Sequence, residues 1–444
     1  MTPSSDFGVF SYTIFLYIVI DKNYNKKGTL FFIFERVFRS LSPFSRSRGM
    51  EKRTGLFASG IIWFGVAISV SEIEAGIEIG ALAKESLWLP LILGHLLGGV
   101  MLFFVGLIGA RLRVNAMETT TSTFGKYGSK FFAALNLFQL MAWVAVLNAQ
   151  GALALAGLNL PISFPLTCVI LAALIGIWVY VGLKRSANVT TAVMAVLAVL
   201  LVVLSIRLFG VGVAPAAASA SAGTAATLGF WNIFEISIAM PISWLPVISD
   251  YTRDVEKPVK ATLVSAAAYT VASLWMYILG VMIAHIGNGC DIAHAILLAG
   301  LGVPGIVIVV LSTVTTNFLA ANSAGESAKA VVSKFNPKIA GVVVSALSAA
   351  IAISGIMDHY ISFLYLIASV FAPMAAVLLV SFFLAKRNGE GLGFWLWNLF
   401  AWLVGFGAYQ AAVRLDSVFL GPTLLSVVVS AAISYIWVLK KRFS

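Results

Sequence analysis

The chain has 444 residues, of which 60% are hydrophobic and only 11% charged, and its formal net charge is +11. A soluble domain carries about 25% charged residues, so this chain cannot clothe a globular surface in water. The excess of positive charge reads as membrane topology and attraction to anionic headgroups. No basic stripe with interleaved aromatics points to nucleic acid.

Residues 1–49 stand apart. The run Phe7–Ile20 is 14 residues, short for a span, and Asp21, Lys22, Lys26 and Lys27 close it. It lacks the basic start and small-residue cleavage site of a secretory signal. Met50 opens Met-Glu-Lys-Arg-Thr-Gly just before the first long apolar stretch. We expect 1–49 to be an upstream extension foreign to the native protein or a disordered tail, the alternative being an extra interfacial helix.

From Leu56 onward the chain supplies apolar stretches of the roughly 20 residues that a bilayer core requires. They fall at 56–82, 87–110, 131–157, 163–183, 188–209, 229–249, 261–286, 303–325, 339–356, 360–384, 393–412 and 418–438. Alternate connections and the tail hold seventeen Lys and Arg, among them Arg111, Arg113, Lys184, Arg185, Lys257, Lys334 and Lys440, whereas the other set holds Lys84, Arg207 and Arg414. Positive loops stay cytoplasmic. Twelve spans with both termini inside the cell membrane follow. Cys168 and Cys290 form no evident pair, and no disulfide is expected.

A membrane helix is monotonous unless something interrupts it. Span 1 carries Ser69, Ser71, Glu72, Glu74 and Glu78. A carboxylate near the bilayer centre costs about 2.5–3.5 kcal/mol on insertion scales. Snorkelling accounts for Glu78 but poorly for Glu72 and Glu74, which are expected to face a cavity, a cation or a proton. In span 3, Gln139 and Trp143 are four apart and share a face. An amide beside an aromatic plane suits a flat heterocycle.

Span 6 contains Pro241 and Pro246. Each proline removes a backbone donor and crowds the preceding turn, so the helix should break near Pro241–Ser243. Irregular backbone at membrane depth is tolerated where it lines protein or a water-filled cavity. Interrupted helices at matching positions of two inverted repeats mark the site of a secondary transporter. At the end of span 6, Asp250 and Arg253 read as a gate or a helix-end pair. Span 8 holds Ser312-Thr-Val-Thr-Thr-Asn317. Thr315 and Thr316 can offer hard oxygen ligands to a small cation. Their bland alternative is bonding back to their own helix. His95, His285, His294 and His359 show no ligand spacing and read as structural.

Together Ile248-Ser-Asp-Tyr-Thr-Arg253, Thr315-Thr-Asn317 and Phe124-Gly-Lys-Tyr-Gly128 resemble the nucleobase:cation symporter-1 family of purine and cytosine permeases. The resemblance covers about 56–440. Through Trp231-Asn-Ile-Phe-Glu-Ile-Ser237 and the acidic span 1 it looks closest to hydroxymethylpyrimidine transporters. It implies an all-α polytopic LeuT-type fold, with repeats over 50–209 and 229–384 and two further helices over 393–438. Helices 1 and 6 are then broken, and symport is coupled to Na⁺ or H⁺ without an enzymatic cofactor. By the same resemblance Thr315 and Thr316 match sodium-liganding hydroxyls, Trp143 the stacking aromatic, and Ser243 the break of span 6. Asn317 lies beside the substrate region. Two departures stand out. Pro241 occupies the place of an aromatic in span 6, with Trp244 three residues later, and Glu72 and Glu74 stand where cytosine-type members look uncharged.

A 4-aminopyrimidine presents a ring nitrogen and an exocyclic amine on one edge. A carboxylic acid can donate to the first and accept from the second. Glu72 or Glu74 is expected in this part, with Gln139 or Asn317 on the other polar substituents. Cytosine, purines, allantoin and hydantoin are the alternatives. No His-Glu-x-x-His and no Gly-x-Ser-x-Gly elbow argues for an enzyme, and no filter loop for a channel.

Overall fold

The computed structural model describes residues 53–83, 86–158, 160–211, 227–286, 291–385, 391–415 and 420–443. The extension expected over 1–49 and Cys290 lie outside the described residues. Apart from two isolated bridges (Thr54 with Val255, Ala83 with Leu228), regular structure there is helical. Span 1 comprises α1 (Leu56–Ala67) and α2 (Val70–Leu82), and span 2 is α3 (Trp88–Leu112). A short α4 (Ala116–Thr119) precedes α5 (Thr121–Gly157), which holds span 3; α6 (Phe164–Val181) and α7 (Leu183–Val211) hold spans 4 and 5. Span 6 is α8 (Phe230–Ser243) followed by α9 (Ile248–Thr252). Then come α10 (Pro258–Ile286), the short α11 (Ile292–Leu298), α12 (Gly302–Val331), α13 (Pro337–Ile353) and α14 (Tyr360–Val380). The last two are α15 (Leu392–Leu415) and α16 (Pro422–Phe443).

Among the described residues nine helices are long and apolar enough to cross a bilayer, and the α1–α2 pair, bent by 50°, makes a tenth. The remaining two predicted spans are shorter: α13 has 17 residues and α8 has 14. Span 3 differs at its start. Its helix begins at Thr121, ten residues before the apolar stretch, and passes a kink at Gly125 with φ 70°. Hydropathy reports burial in lipid, and the polar turns before Phe131 are helical without being apolar.

The packing explains how two breaks come together. α10 lies against α1 and α2, α8 against α3, α12 against α5, and α13 against α6. Exchanging spans 1–5 for spans 6–10 turns the span 1–span 7 contact into the span 6–span 2 contact and leaves the 3–8 and 4–9 contacts in place. That is the pattern of an inverted repeat. Small residues let the backbones close in: Gly94 faces Ser237, and Gly98 faces the ring of Pro241. Side chains such as Phe57, Ile177, Phe209 and Val271 stay exposed on the outside, as lipid-facing positions require.

The last helix is tied to span 6 by a buried carboxylate. Glu235 accepts from the Thr423 backbone N–H at 2.9 Å and from its hydroxyl at 2.6 Å. Thr423 is the second residue of α16, where backbone donors lack helical partners and the helix dipole favours an anion. Glu235 stands near the start of its span, and its partner lies 188 residues away in sequence. Glu235→Ala should lower stability by about 1–3 kcal/mol, because it strands a buried donor. Glu235→Gln, which keeps an acceptor, should cost less. Thermal unfolding of the purified protein measures both; equal melting temperatures for wild type and Glu235→Ala would contradict the cap.

Candidate functional site between two helix breaks

The break in span 1 is a cap set in mid-membrane. Ile68 leaves the helical region and Ser69 is extended (φ −133°, ψ 154°). The Ser69 hydroxyl accepts from the Glu72 backbone N–H at 3.2 Å. Ser69-Val-Ser-Glu72 has the Ser-x-x-Glu spacing of a capping box, a signal that a reading for polarity alone passes over. The acidic side chain does not fold back to the cap. It crosses to α10.

Span 6 breaks at the end of the expected stretch. The helix continues through Pro241 to Ser243, and residues 244–247 form a tight turn before α9. Trp244 N–H bonds to the Pro241 carbonyl and Leu245 N–H to the Ile242 carbonyl, both three residues back. Pro241 costs the helix one donor while Gly98 makes room for its ring. Pro246 falls inside the turn and removes a second backbone donor there. Side-chain amides of α5 take up the exposed carbonyls. Asn136 Nδ2 donates to the Pro246 carbonyl at 3.0 Å, and Gln139 Nε2 to the Ser243 carbonyl at 3.2 Å.

Between the breaks lies a narrow cavity. Ser69, Ser71 and Glu72 line it from span 1, Trp143 from α5, Ser243 and Trp244 from span 6, and Thr316 from α12. Trp143 and Trp244 thus bring two aromatic side chains to one volume. On one side Trp63 holds Trp244, Tyr251 and Tyr269 edge-on, at centroid distances of 5.8, 6.1 and 6.0 Å. On another, Trp143 meets Phe363 at 5.4 Å, and Ser71 shares a 2.9 Å hydrogen bond with the Tyr360 hydroxyl.

Glu72 is 2% exposed, and both its oxygens are held from α10. Tyr269 donates to Oε1 at 3.0 Å and Ser273 to Oε2 at 2.7 Å. An ionised carboxylate accepts at about four lone-pair sites, so capacity remains for a ligand. Sequence analysis missed Tyr269 and Ser273. Their signal was present: polar residues at 269, 273 and 277, spaced by four, share one face of an otherwise apolar helix.

Other expected residues lie off the cavity. Glu74 accepts from Gln150 Nε2 at 2.6 Å, which joins α2 to α5. Gln139 serves the span 6 break, and its buried Oε1 has no partner. Asn317 is fully buried with neither amide atom bonded. The two threonines divide. Thr315 donates back to the Leu311 carbonyl at 2.7 Å, whereas Thr316 reaches the Val66 carbonyl in the last turn of α1 at 3.3 Å. Asp250 and Arg253, expected as a gate or a helix-end pair, form no direct salt bridge and hold separate nearest partners. Asp250 accepts from the Ala116 N–H at 2.8 Å, and Arg253 bridges to Glu326 at 3.3 Å and to Asp254 at 3.7 Å.

The model of a family described as permeases for cytosine/purines, uracil, thiamine and allantoin matches residues 50–392. The cytosine permease of Escherichia coli strain K12 is 22% identical over 340 residues, which cover 76% of this chain and 80% of that protein. Among solved structures, Mhp1, a nucleobase-cation-symport-1 family transporter seen closed with bromovinylhydantoin bound, superposes with a TM-score of 0.68. The identity is 20%, over 88% of this chain and 94% of that one. A Na⁺-coupled sialic acid symporter in an outward-open state gives 0.63 at 13% identity, over 87% and 90% of the two chains. These structural likenesses establish the fold: two inverted five-helix repeats with the first and sixth helices broken.

Proposed function

The chain belongs to the cytosine/purine, uracil, thiamine and allantoin permease family, and on that premise we propose that it imports a 4-aminopyrimidine, hydroxymethylpyrimidine foremost, by symport with a cation. The family transports small molecules across membranes and is not enzymatic. The observation that carries the substrate class is Glu72, a carboxyl group lining a cavity between Trp143 and Trp244. The indoles suit the faces of a flat ring. The carboxyl suits an edge that pairs a ring nitrogen with an amine. Ser71 and Ser243, which line the same cavity, are the contacts assigned to the remaining substituents, and the distribution of Lys and Arg supports both chain termini on the cytoplasmic side.

Cytosine is the second reading, favoured by the similarity to the Escherichia coli cytosine permease. It shares the aminopyrimidine edge and differs in its other substituents. Uptake of labelled cytosine into proteoliposomes, competed with hydroxymethylpyrimidine, unlabelled cytosine, allantoin and hydantoin, separates the readings. Hydroxymethylpyrimidine should compete best. Preferential competition by allantoin or hydantoin, which lack that edge, would reject the aminopyrimidine assignment.

For the cation, the support is the meeting of Thr316 with the end of α1. The last carbonyls of a helix lack partners and carry the negative end of its dipole, and Na⁺ takes hard oxygen ligands, as transporter half-helix ends supply. Thr316→Val removes that hydroxyl without changing the side chain's outline. It should raise the Na⁺ concentration for half-maximal uptake at least tenfold, equal to about 1.4 kcal/mol. Thr315→Val should do less, because its hydroxyl is spent on its own helix. Uptake indifferent to Na⁺ in the wild type would remove Na⁺ from the scheme and leave H⁺.

A further inference from the structure

We propose that Glu72, Ser273 and His95 together bind one proton, which passes between carboxyl and imidazole through the Ser273 hydroxyl. The substrate site then responds to pH at a place separate from the cation seat at Thr316. The significance for transport rests on Glu72 being the substrate carboxyl; the proton site itself stands on hydrogen-bond geometry.

His95 is fully buried on α3, with both ring nitrogens engaged. Nε2 lies 2.9 Å from Ser273 Oγ, and Ser273 lies 2.7 Å from Glu72 Oε2. On the far side Nδ1 lies 2.6 Å from Ser237 Oγ and 3.1 Å from the Leu91 carbonyl, which Ser237 also reaches at 2.6 Å. The groups around this chain are neutral or acidic. Tyr277 of α10 sits edge-on to the imidazole at 4.6 Å. Tyr269 of α10 and Tyr360 at the start of α14 face the carboxyl, and Glu74 and Glu78 follow on α2 itself. From α8 comes Ser237, while Glu235, two residues earlier, turns to Thr423. Trp143 of α5 and Thr316 of α12 share the cavity with Glu72.

Each hydroxyl has one hydrogen to donate, and this restricts the arrangements. With no proton added, Ser273 donates to the Glu72 carboxylate, so Nε2 must carry the hydrogen that points at Ser273. Nδ1 is then an acceptor, satisfied by Ser237. One added proton resides on Nδ1, which donates to Ser237, and Ser237 turns to the Leu91 carbonyl. The imidazolium and carboxylate are now linked by one hydroxyl. A concerted shift carries the Nε2 proton to Ser273 and the Ser273 proton to Glu72. The products are neutral imidazole with hydrogen on Nδ1 and a neutral carboxylic acid, with the proton count unchanged. Only that acid can donate to the ring nitrogen of an aminopyrimidine. His95 is thus a positioning residue that sets the protonation of Glu72 without touching substrate.

The test follows ¹⁵N-histidine-labelled transporter in liposomes by solid-state NMR between about pH 5 and pH 8, the range in which histidine ordinarily changes charge. His95→Gln assigns the His95 signals. Infrared spectroscopy of the same samples follows the carboxylate, identified by Glu72→Gln. Nδ1 should gain its hydrogen with the same midpoint at which the Glu72 carboxylate disappears. In Glu72→Gln the Nδ1 midpoint should fall by at least one pH unit. With Glu72 in place, Ser273→Thr should titrate as wild type, and Ser273→Ala should split the shared transition in two. One fixed tautomer of His95 while Glu72 titrates, or an unchanged midpoint in both Glu72→Gln and Ser273→Ala, would overturn the proposal. No substrate enters this experiment. Failure of pyrimidine uptake would therefore count against the proposed function alone, and saturable uptake with unlinked titrations against the proton site alone.

Discussion

Replacing Glu72 by glutamine should lower the uptake efficiency for a 4-aminopyrimidine roughly 5- to 150-fold, the loss of about 1–3 kcal/mol expected when a buried hydrogen-bonding group is deprived of its matched partner. The substitution keeps length and planarity but leaves one oxygen where Tyr269 and Ser273 now donate to two. The amide NH₂ cannot accept. The amide can keep its oxygen toward Ser273 and turn its NH₂ to the Tyr269 hydroxyl, which can accept as well as donate, so the protein has a way to absorb the change and the variant should fold. The substrate has no such recourse. Its amine must share the one remaining carbonyl oxygen with Ser273, and its ring nitrogen faces a donor with weaker acidity than a carboxylic acid.

Glu74→Gln is the matched comparison. Its carboxylate is engaged by Gln150 at 2.6 Å and does not line the cavity, so its effect on uptake should be several-fold smaller. Initial-rate uptake in proteoliposomes over a range of substrate concentrations measures both variants. Wild-type efficiency in Glu72→Gln, or a larger loss in Glu74→Gln, would move the recognition role away from Glu72.

Much of the fold was legible because lipid makes simple demands. Twelve apolar stretches and the alternation of Lys and Arg follow from bilayer thickness and insertion, and helices occupy those positions. Prolines and glutamates marked spans 1 and 6 because both are costly in a membrane unless something receives them. The place of the second break was legible, but the unequal parts of its two prolines were not. Pro241 and Pro246 look alike in sequence, but Pro241 is accommodated by Gly98 on a neighbouring helix, and the helix survives until the turn before Pro246.

The polar residues show the same division. Periodicity says which residues share a face, and it says little about what that face meets. Gln139 and Trp143 do share a face of α5, yet Trp143 lines the cavity while Gln139 donates to the freed Ser243 carbonyl. Thr315 and Thr316 are adjacent, and the helix rotation between them sends one hydroxyl home and the other across to Val66. Glu72 meets Tyr269 and Ser273 across 197 and 201 residues. Such pairings depend on how the repeats interlock, which no local window contains.

Gly280→Ala should disrupt both stability and substrate binding, because α2 and α10 cross with backbone against backbone. A Cβ on Gly280 would fall against the Ile73 carbonyl and 2.7 Å from the Ile77 nitrogen; one on Gly76 would meet the Tyr277 carbonyl. Backbone atoms in helices cannot swing aside as a side-chain tip can. The helices must separate, and overpacking of this kind costs roughly 1–3 kcal/mol or more. Separation has a functional consequence, since Tyr269 and Ser273 on α10 hold the carboxyl of Glu72 on α2 at hydrogen-bonding distance. A shift of a few tenths of an ångström weakens both bonds and loosens the acid that faces the ligand. Gly280→Leu should yield no folded transporter. Gly407→Ala is the control: a Cβ there meets nothing within 4 Å, and alanine is favoured over glycine in a helix by up to about 1 kcal/mol. Thermal unfolding and substrate affinity, measured on the same purified samples, should fall together for Gly280→Ala and hold or rise for Gly407→Ala. Wild-type values of both in Gly280→Ala would mean that α2 and α10 are not held as one unit, and that Glu72 is positioned by something other than this crossing.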